Sequence, residues 1–232
     1  MTGPARGCLL VMAKAPVAGL AKTRLCPPAT PAQAADIAAA ALLDTLDAVL
    51  AATGIIPVVA LTGSLAAAGR RAELTELLRR CTVIAQRGDD FAHRLAAAHQ
   101  DVATRFPDQP ILQIGMDTPQ VTPALLTSGL DRLRTGIEDA VLGPAADGGW
   151  WALGLRDPMH AWVLTSVPMS LPDTGVRTAR ALRAAGRLVG DLPTLSDVDT
   201  MTDAAVVAES LPGSRFADAV STVESAGELV GR

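Results

Sequence analysis

The chain has 232 residues, 49% of them hydrophobic, 19% charged and only 3% aromatic, with a formal net charge of −4. That length suits one alternating α/β domain, and the hydrophobic share is ample for a large core. The acidic balance argues against nucleic acid or an anionic membrane as a bulk partner, so binding of a small anion would need a local cluster of Lys and Arg. Cys8, Cys26 and Cys81 stand far apart with no CxxC pair, which predicts a reduced, cytoplasmic setting rather than a disulfide framework.

The elements follow in chain order. Met1 to Arg6 carries one basic residue, and the apolar run after it is too short for a signal peptide. Residues 8–13 are continuously apolar, the pattern of a strand covered on both faces. A loop over 14–28 leads to a helix over 34–52, the longest apolar stretch. Asp36, Asp44 and Asp47 interrupt it, and at 100° per residue they fall within about 80° of one another, so a surface helix is expected rather than a membrane span. Strands are predicted at 55–61, 82–85, 111–115, 140–143, 151–155 and around Leu188. Helices are predicted at 65–80, 89–106, from Pro123, at 174–185 and at 203–210. The segment after Pro212 reads as a polar, loosely held tail. This alternation implies one domain over residues 1–232, with a mostly parallel central sheet and right-handed crossovers. In such sheets ligands sit at the carboxyl ends of the strands.

Four segments place polar residues at strand ends. The run KAPVAGLAKTRL (14–25) puts Lys14, Lys22 and Arg24 in a loop with Pro and Gly directly after the first strand, an arrangement suited to phosphate. It is not a P-loop, because Pro16 and Ala21 stand where that motif needs glycine. The bland alternative is a solvated basic loop. GMDTP (115–119) follows the fourth strand, where Asp117 could hold Mg²⁺ or Mn²⁺ or simply cap a turn before Pro119. DGGWW (147–151) allows close approach of backbone to a ligand at Gly148 and Gly149 and offers the paired Trp150 and Trp151 as a stacking surface; a hairpin turn with core tryptophans is equally compatible. In DVDT (197–200), Asp199 is a candidate second metal ligand, while Thr200 or a neighbouring Asp serves as helix N-cap. His93, His99 and His160 form no metal-ligand spacing and are expected at the surface or in packing.

Together these segments resemble the bacterial DUF2064 family. Residues 13–25 are similar to its AKAPxPGxxKTRL opening, 115–119 to its IGxDxP, 143–155 (GPAADGGWWALGL) to its GPAxDGGYYLIGL, and 197–200 to its DVDT. Members are described as GT-A-type glycosyltransferase-like proteins, including arsenosugar biosynthesis glycosyltransferases. The resemblance therefore implies a single-domain GT-A-like nucleotide-diphospho-sugar transferase fold, a mostly parallel sheet flanked by helices. It further implies nucleotide-phosphate binding by Lys14, Gly19, Lys22, Thr23, Arg24 and Arg94, and a divalent cation on Asp117 and Asp199. Asp147, with Gly148, Gly149 and Trp150, would face the acceptor or sugar, and Asp147 would be the catalytic group. Ala18 stands in place of the family's Pro, Trp150 and Trp151 in place of its Tyr pair, and no Glu precedes Arg94.

The implied partners are a nucleotide-sugar or NTP and a small acceptor. Metal-assisted glycosyl transfer is the leading expectation. Nucleotidyl transfer to a phosphorylated small molecule is the alternative, since guanylyltransferases share the general fold. A catalytically silent nucleotide-binding protein is the third reading, motivated by Pro119 in the second position of a DxD motif.

Overall fold

The computed structural model describes residues 6–230. The continuous apolar run near the start is strand β1 (Cys8–Lys14), buried at every residue except Lys14. It is flanked in parallel by β2 (Ile56–Thr62) and β4 (Ile111–Gly115), and β3 (Thr82–Ala85) adds outside β2. On the other side β6 (Trp150–Leu155) runs antiparallel to both β4 and β5 (Ala140–Pro144), and β7 (Val189–Asp191) is parallel to β5. The resulting seven-stranded sheet has the order β3-β2-β1-β4-β6-β5-β7. It is the mostly parallel sheet the sequence implies, with β6 reversed.

Side chains alternate across the strands, so each face gathers its own core. Leu9, Val11, Leu112 and Ile114 meet helix α1 (Pro31–Ala51), α2 (Arg71–Leu78) and α4 (Pro123–Arg134) on one face. Leu10, Met12, Ile111 and Leu153 meet α3 (Phe91–Arg105) and α5 (Thr174–Ala184) on the other. Helix starts follow local chemistry: Thr30 and Gln33 form a capping box ahead of Pro31, and Asp90 and Thr122 cap α3 and α4. Thr200 caps α6 (Met201–Glu209), with Asp203 completing the box. No helix among the described residues is long and apolar enough to cross a membrane.

Four expectations change. Residues 65–80 are not one helix. Gly69 donates to Pro16 O, and a Cβ there would lie 3.3 Å from Ala35 O, while Arg70 takes a left-handed φ of 48°. The segment is therefore split into a 3₁₀ turn, Leu65–Ala67, and α2. A long 3₁₀ segment, Pro158–Ser166, which the periodicity did not announce, packs on α3. Helix α1 is no surface helix: it lies between the sheet and α7 (Arg215–Val230). Its acidic stripe is taken up by arginines, Asp36 by Arg70 at 2.8 Å and Asp44 and Asp47 by Arg215 at 3.2 and 2.6 Å. The segment after Pro212, expected as a loose tail, is that helix α7. Of the stretch Met1–Arg6 read above for a leader, residues 1–5 lie outside the described residues.

Phe216, Val220 and Val223 of α7 pack against Ile37, Ala40 and Ala41 of α1, and Leu25 at the end of the basic loop belongs to the same cluster. Helix α7 thus supports the loop through Leu25. Because Phe216 is fully buried, Phe216→Ala should cost about 3–5 kcal/mol in urea unfolding. A loss under about 0.5 kcal/mol, as for a surface change, would restore the loose-tail reading.

Candidate functional site

The basic loop leaves β1 at Lys14 and is tied at both ends. Ala15 N–H donates to Thr62 O, and Leu25 is buried. Between these anchors Lys22 takes a left-handed φ of 47°, which a non-glycine residue adopts only when its surroundings hold it. Its side chain turns inward, 13% exposed, and the ammonium donates to Asp117 Oδ2 at 2.6 Å and Asp199 Oδ1 at 3.0 Å. Arg24 Nη1 donates to Asp199 Oδ2 at 2.9 Å from an exposed position. Burial by itself lowers the Lys22 pKa, but Asp117 and Asp199 together outweigh it and raise the pKa above its ordinary value. Burial likewise raises Asp199, and the Lys22 and Arg24 charges outweigh it, so Asp199 ends lowered. Asp117 and Asp199, 82 positions apart, are brought together because Val198 N–H donates to Asp117 O at 3.1 Å and the Val198 side chain is buried.

The β5–β6 turn supplies the second group. Gly148 has φ 89°, and a Cβ there would lie 1.8 Å from Pro172 O, so backbone alone fits. Gly175 at the start of α5 donates to Gly148 O at 2.9 Å, fixing the turn against that helix. Asp147 Oδ1 accepts from Gly149 N–H at 2.8 Å, so one carboxylate oxygen closes the hairpin turn. The tryptophan pair divides. Trp151 is core, 2% exposed, with Nε1 donating to Pro193 O, while Trp150 is half-buried and donates to Thr178 Oγ1 at 3.2 Å. Asp197 is pushed up to about 6, first by burial and then by Asp147, Asp117 and Asp199.

Two cavities meet here, at the carboxyl ends of β1 and β4. The first, about 420 Å³, is lined by Lys14, Lys22, Thr23, Arg24, Arg94, Asp117 and Asp199 among others. The second, about 500 Å³, is lined by Asp117, Asp147, Gly149, Trp150, Asp197 and Asp199, with Arg24 the basic residue on its wall. Asp117, Asp199 and Arg24 are common to both. The structure therefore gathers most of the residues named from sequence. Gly19, exposed at φ 74° with open space around it, is not among the lining residues of either cavity, and Gly148 acts from behind the turn. Sequence reasoning missed Gln86, which bridges Ala13 O and Ala60 O, and it missed Asp197, Gln113 and Thr118. A lone Gln inside the apolar strand ILQIG was the available signal for Gln113.

Asp117 and Asp199 both reach Lys22 Nζ, so a single ion in that place would meet both carboxylates. Their oxygens are the hard donors that Mg²⁺ or Mn²⁺ prefers. Among the described residues no group of three or more His, Cys, Asp or Glu could hold a metal ion. Asp117 and Asp199 would supply two ligands to such an ion in the place of Lys22 Nζ, with the remaining donors to come from elsewhere.

Asp197 binds a proton more readily folded than unfolded, so its charged form destabilises the fold above about pH 6, and the penalty fades as pH falls below that value. In metal-free buffer at pH 8, Asp197→Asn should stabilise by roughly 1–2 kcal/mol after discounting for the half-exposed site. The gain should shrink as pH falls from about 6 and vanish below 3.8, the carboxyl's ordinary value. Thermal melts across this range test it, and a pH-independent effect would show that neither burial nor the neighbouring charges raise the Asp197 carboxyl.

No curated protein matches the chain. Among solved structures, a Desulfovibrio desulfuricans G20 protein described as a candidate nucleotide-diphospho-sugar transferase aligns with TM-score 0.83 and 24% identity, over 95% of this chain and 96% of that one. A CMP:2-keto-3-deoxy-manno-octonic acid synthetase complexed with CTP aligns with TM-score 0.53 and 14% identity, over 90% and 100%. The Mycobacterium tuberculosis H37Rv protein Rv0371c, solved with manganese, aligns with TM-score 0.51 and 21% identity, over 88% and 100%. These likenesses establish the fold, that of the GT-A-like nucleotide-diphospho-sugar transferases. Residues 45–171 match the family described as "Uncharacterized protein conserved in bacteria (DUF2064)", and with its four motifs in order and this fold the chain belongs to the DUF2064 family.

Proposed function

We propose that the chain, acting as one cytoplasmic domain, transfers a glycosyl group from a nucleotide-diphospho-sugar to a small acceptor. The observation that carries this reading is the pair of joined cavities of opposite character, basic at the loop and acidic at the DGG turn. A donor diphosphate suits the first, where Lys14 and Arg94 supply cationic donors beside Lys22 and Arg24. Asp117 and Asp199 would hold Mg²⁺ or Mn²⁺ together with diphosphate oxygens, and such an ion would draw off charge that grows on the departing diphosphate. Asp147 faces the second cavity with one oxygen tied to the turn, and it orients the acceptor hydroxyl or takes its proton.

Nucleotidyl transfer is the second reading, supported by the fold shared with a synthetase solved with CTP. There the same cations would bind an NTP, and pyrophosphate would leave. A thermal-shift panel of UDP- and GDP-sugars and of NTPs, each with Mn²⁺ and with chelator, separates the two. Stabilisation by nucleotide-sugars followed by sugar transfer supports the first reading. Stabilisation by NTPs alone, with pyrophosphate release, replaces it with the second.

Lys14 is exposed and has no ion-pair partner among the described residues. Lys14→Ala should therefore weaken nucleotide-diphosphate binding about tenfold in calorimetry without moving Tm. Lys22→Ala should weaken binding and also lower stability by about 1–3 kcal/mol, because it leaves Asp117 and Asp199 facing each other without their cation. Equal affinities in wild type and both variants would return the loop to an ordinary solvated surface.

Asp147→Asn keeps the turn's shape but removes the charge. Turnover should fall by about 10² or more while donor affinity changes less than threefold. Matching losses in both would make Asp147 a support of the donor cavity.

A further inference from the structure

The second cavity is unequal in its hydrogen-bonding groups. Of its four carboxylates, Asp117 and Asp199 are neutralised by Lys22 and Arg24, whereas Asp147 and Asp197 have no ion-pair partner among the described residues. Two further lining residues are almost wholly buried: Thr118 and Gln113, each 1% exposed. Thr118 Oγ1 has no hydrogen-bond partner among the described residues, while the Gln113 side chain faces His99. Buried polar atoms are rarely left in this state, and each such atom asks for an explanation. Behind Gln113 lies His99, fully buried against the Gln113 side chain, its pKa pushed down to about 4 by burial, which outweighs the raising effect of Gln113. His99 is thus neutral at pH 7 and brings no positive charge to this wall. The half-buried Trp150 ring, held by Thr178, offers the flat apolar side.

We propose that this cavity takes an acceptor that donates hydrogen bonds and carries positive charge, an amine-bearing polyol, and that it rejects phosphorylated or carboxylated acceptors. The inference deepens the reading of the second cavity as the acceptor site and rests on it. Carboxylate oxygens can only accept hydrogen bonds, and a threonine hydroxyl can accept as readily as donate. A ligand that fills this cavity therefore brings N–H and O–H groups. An ammonium in this cavity meets two carboxylates, Asp147 and Asp197, that no cation of the described residues has claimed, whereas a phosphate would meet like charge, and Arg24 is already engaged by Asp199. Trp150 can stack on the C–H face of a sugar-like ring.

Three probes of one ring separate charge from shape: glucosamine, glucose and glucose 6-phosphate. Titrated by calorimetry or saturation-transfer NMR into protein saturated with a nucleoside diphosphate and Mg²⁺, they should bind in that order, with at least about tenfold between first and last. Asp147→Asn combined with Asp197→Asn should abolish the preference of glucosamine over glucose, and Thr118→Val should weaken all three alike. Unchanged nucleoside-diphosphate affinity in each variant certifies the fold. Glucose 6-phosphate binding as tightly as glucosamine overturns the inference while leaving the donor reading intact. Nucleoside diphosphates that fail to bind, with the amine order preserved, sink the donor reading alone. If the double Asn variant loses Mn²⁺ binding while the probe series stays flat, the carboxylates serve a metal and the inference falls.

Discussion

The ammonium of Lys22 between Asp117 and Asp199 joins three distant parts of the chain: the loop after β1, the end of β4 and the segment before α6. Burying a lysine is unfavourable, and burying two carboxylates near each other more so; only the three together balance. The raised Lys22 pKa and the lowered Asp199 pKa are two expressions of that balance. The left-handed backbone at Lys22 costs something as well, and the two carboxylates that the inward side chain reaches offset it. Remove the ammonium, and the Val198 N–H bond to Asp117 O still joins the two segments, but the carboxylates are left facing each other without their shared cation.

The architecture makes this triple possible. Parallel β1 and β4 are neighbours, so their carboxyl ends deliver Lys14 and Asp117 to the same edge. The antiparallel β6 then allows the β5–β6 turn to arrive at that edge too, carrying Asp147 beside it. An all-parallel sheet would need a crossover helix between β5 and β6 and could not place so tight a turn there. Gly148 completes the arrangement, because its bare backbone lets the Pro172 segment close against the turn and form one wall of the second cavity.

Much of this was legible in the sequence because strand cores and strand ends leave different marks. The apolar runs at 8–13, 55–61 and 111–115 gave the central strands almost residue for residue, and each was followed by the polar residues that line the cavities. Partnerships were not legible. Lys22 and Asp199 each looked like independent ligands, one for phosphate and one for metal, since nothing in a linear sequence reveals that 177 positions close into a 3.0 Å contact. The helix over 65–80 failed for a related reason. Its periodicity is sound, but Gly69 must pass close to Ala35 of α1, a tertiary demand that overrides local preference. Asp197 hid behind the capping logic of DVDT, which offered Thr200 or a neighbouring Asp as the N-cap; Thr200 is the cap, and Asp197 is left to the cavity.

The same clamp constrains how the proposed donor can enter. Lys22 already satisfies two carboxylates, so it can serve a phosphate only by giving up at least one of them, and that carboxylate would then need another cation. Lys14 carries no such obligation and Arg94 rests over the Phe91 ring, which leaves these two as the cations available to a first-arriving phosphate. A phosphate entering with a divalent ion would resolve the conflict from both sides, since Asp117 and Asp199 would hold the ion and leave Lys22 free for the phosphate. In the proposed reaction, nucleotide and metal binding at this edge would therefore be coupled through one lysine. By linkage, whatever the metal adds to nucleotide affinity the nucleotide must add to metal affinity.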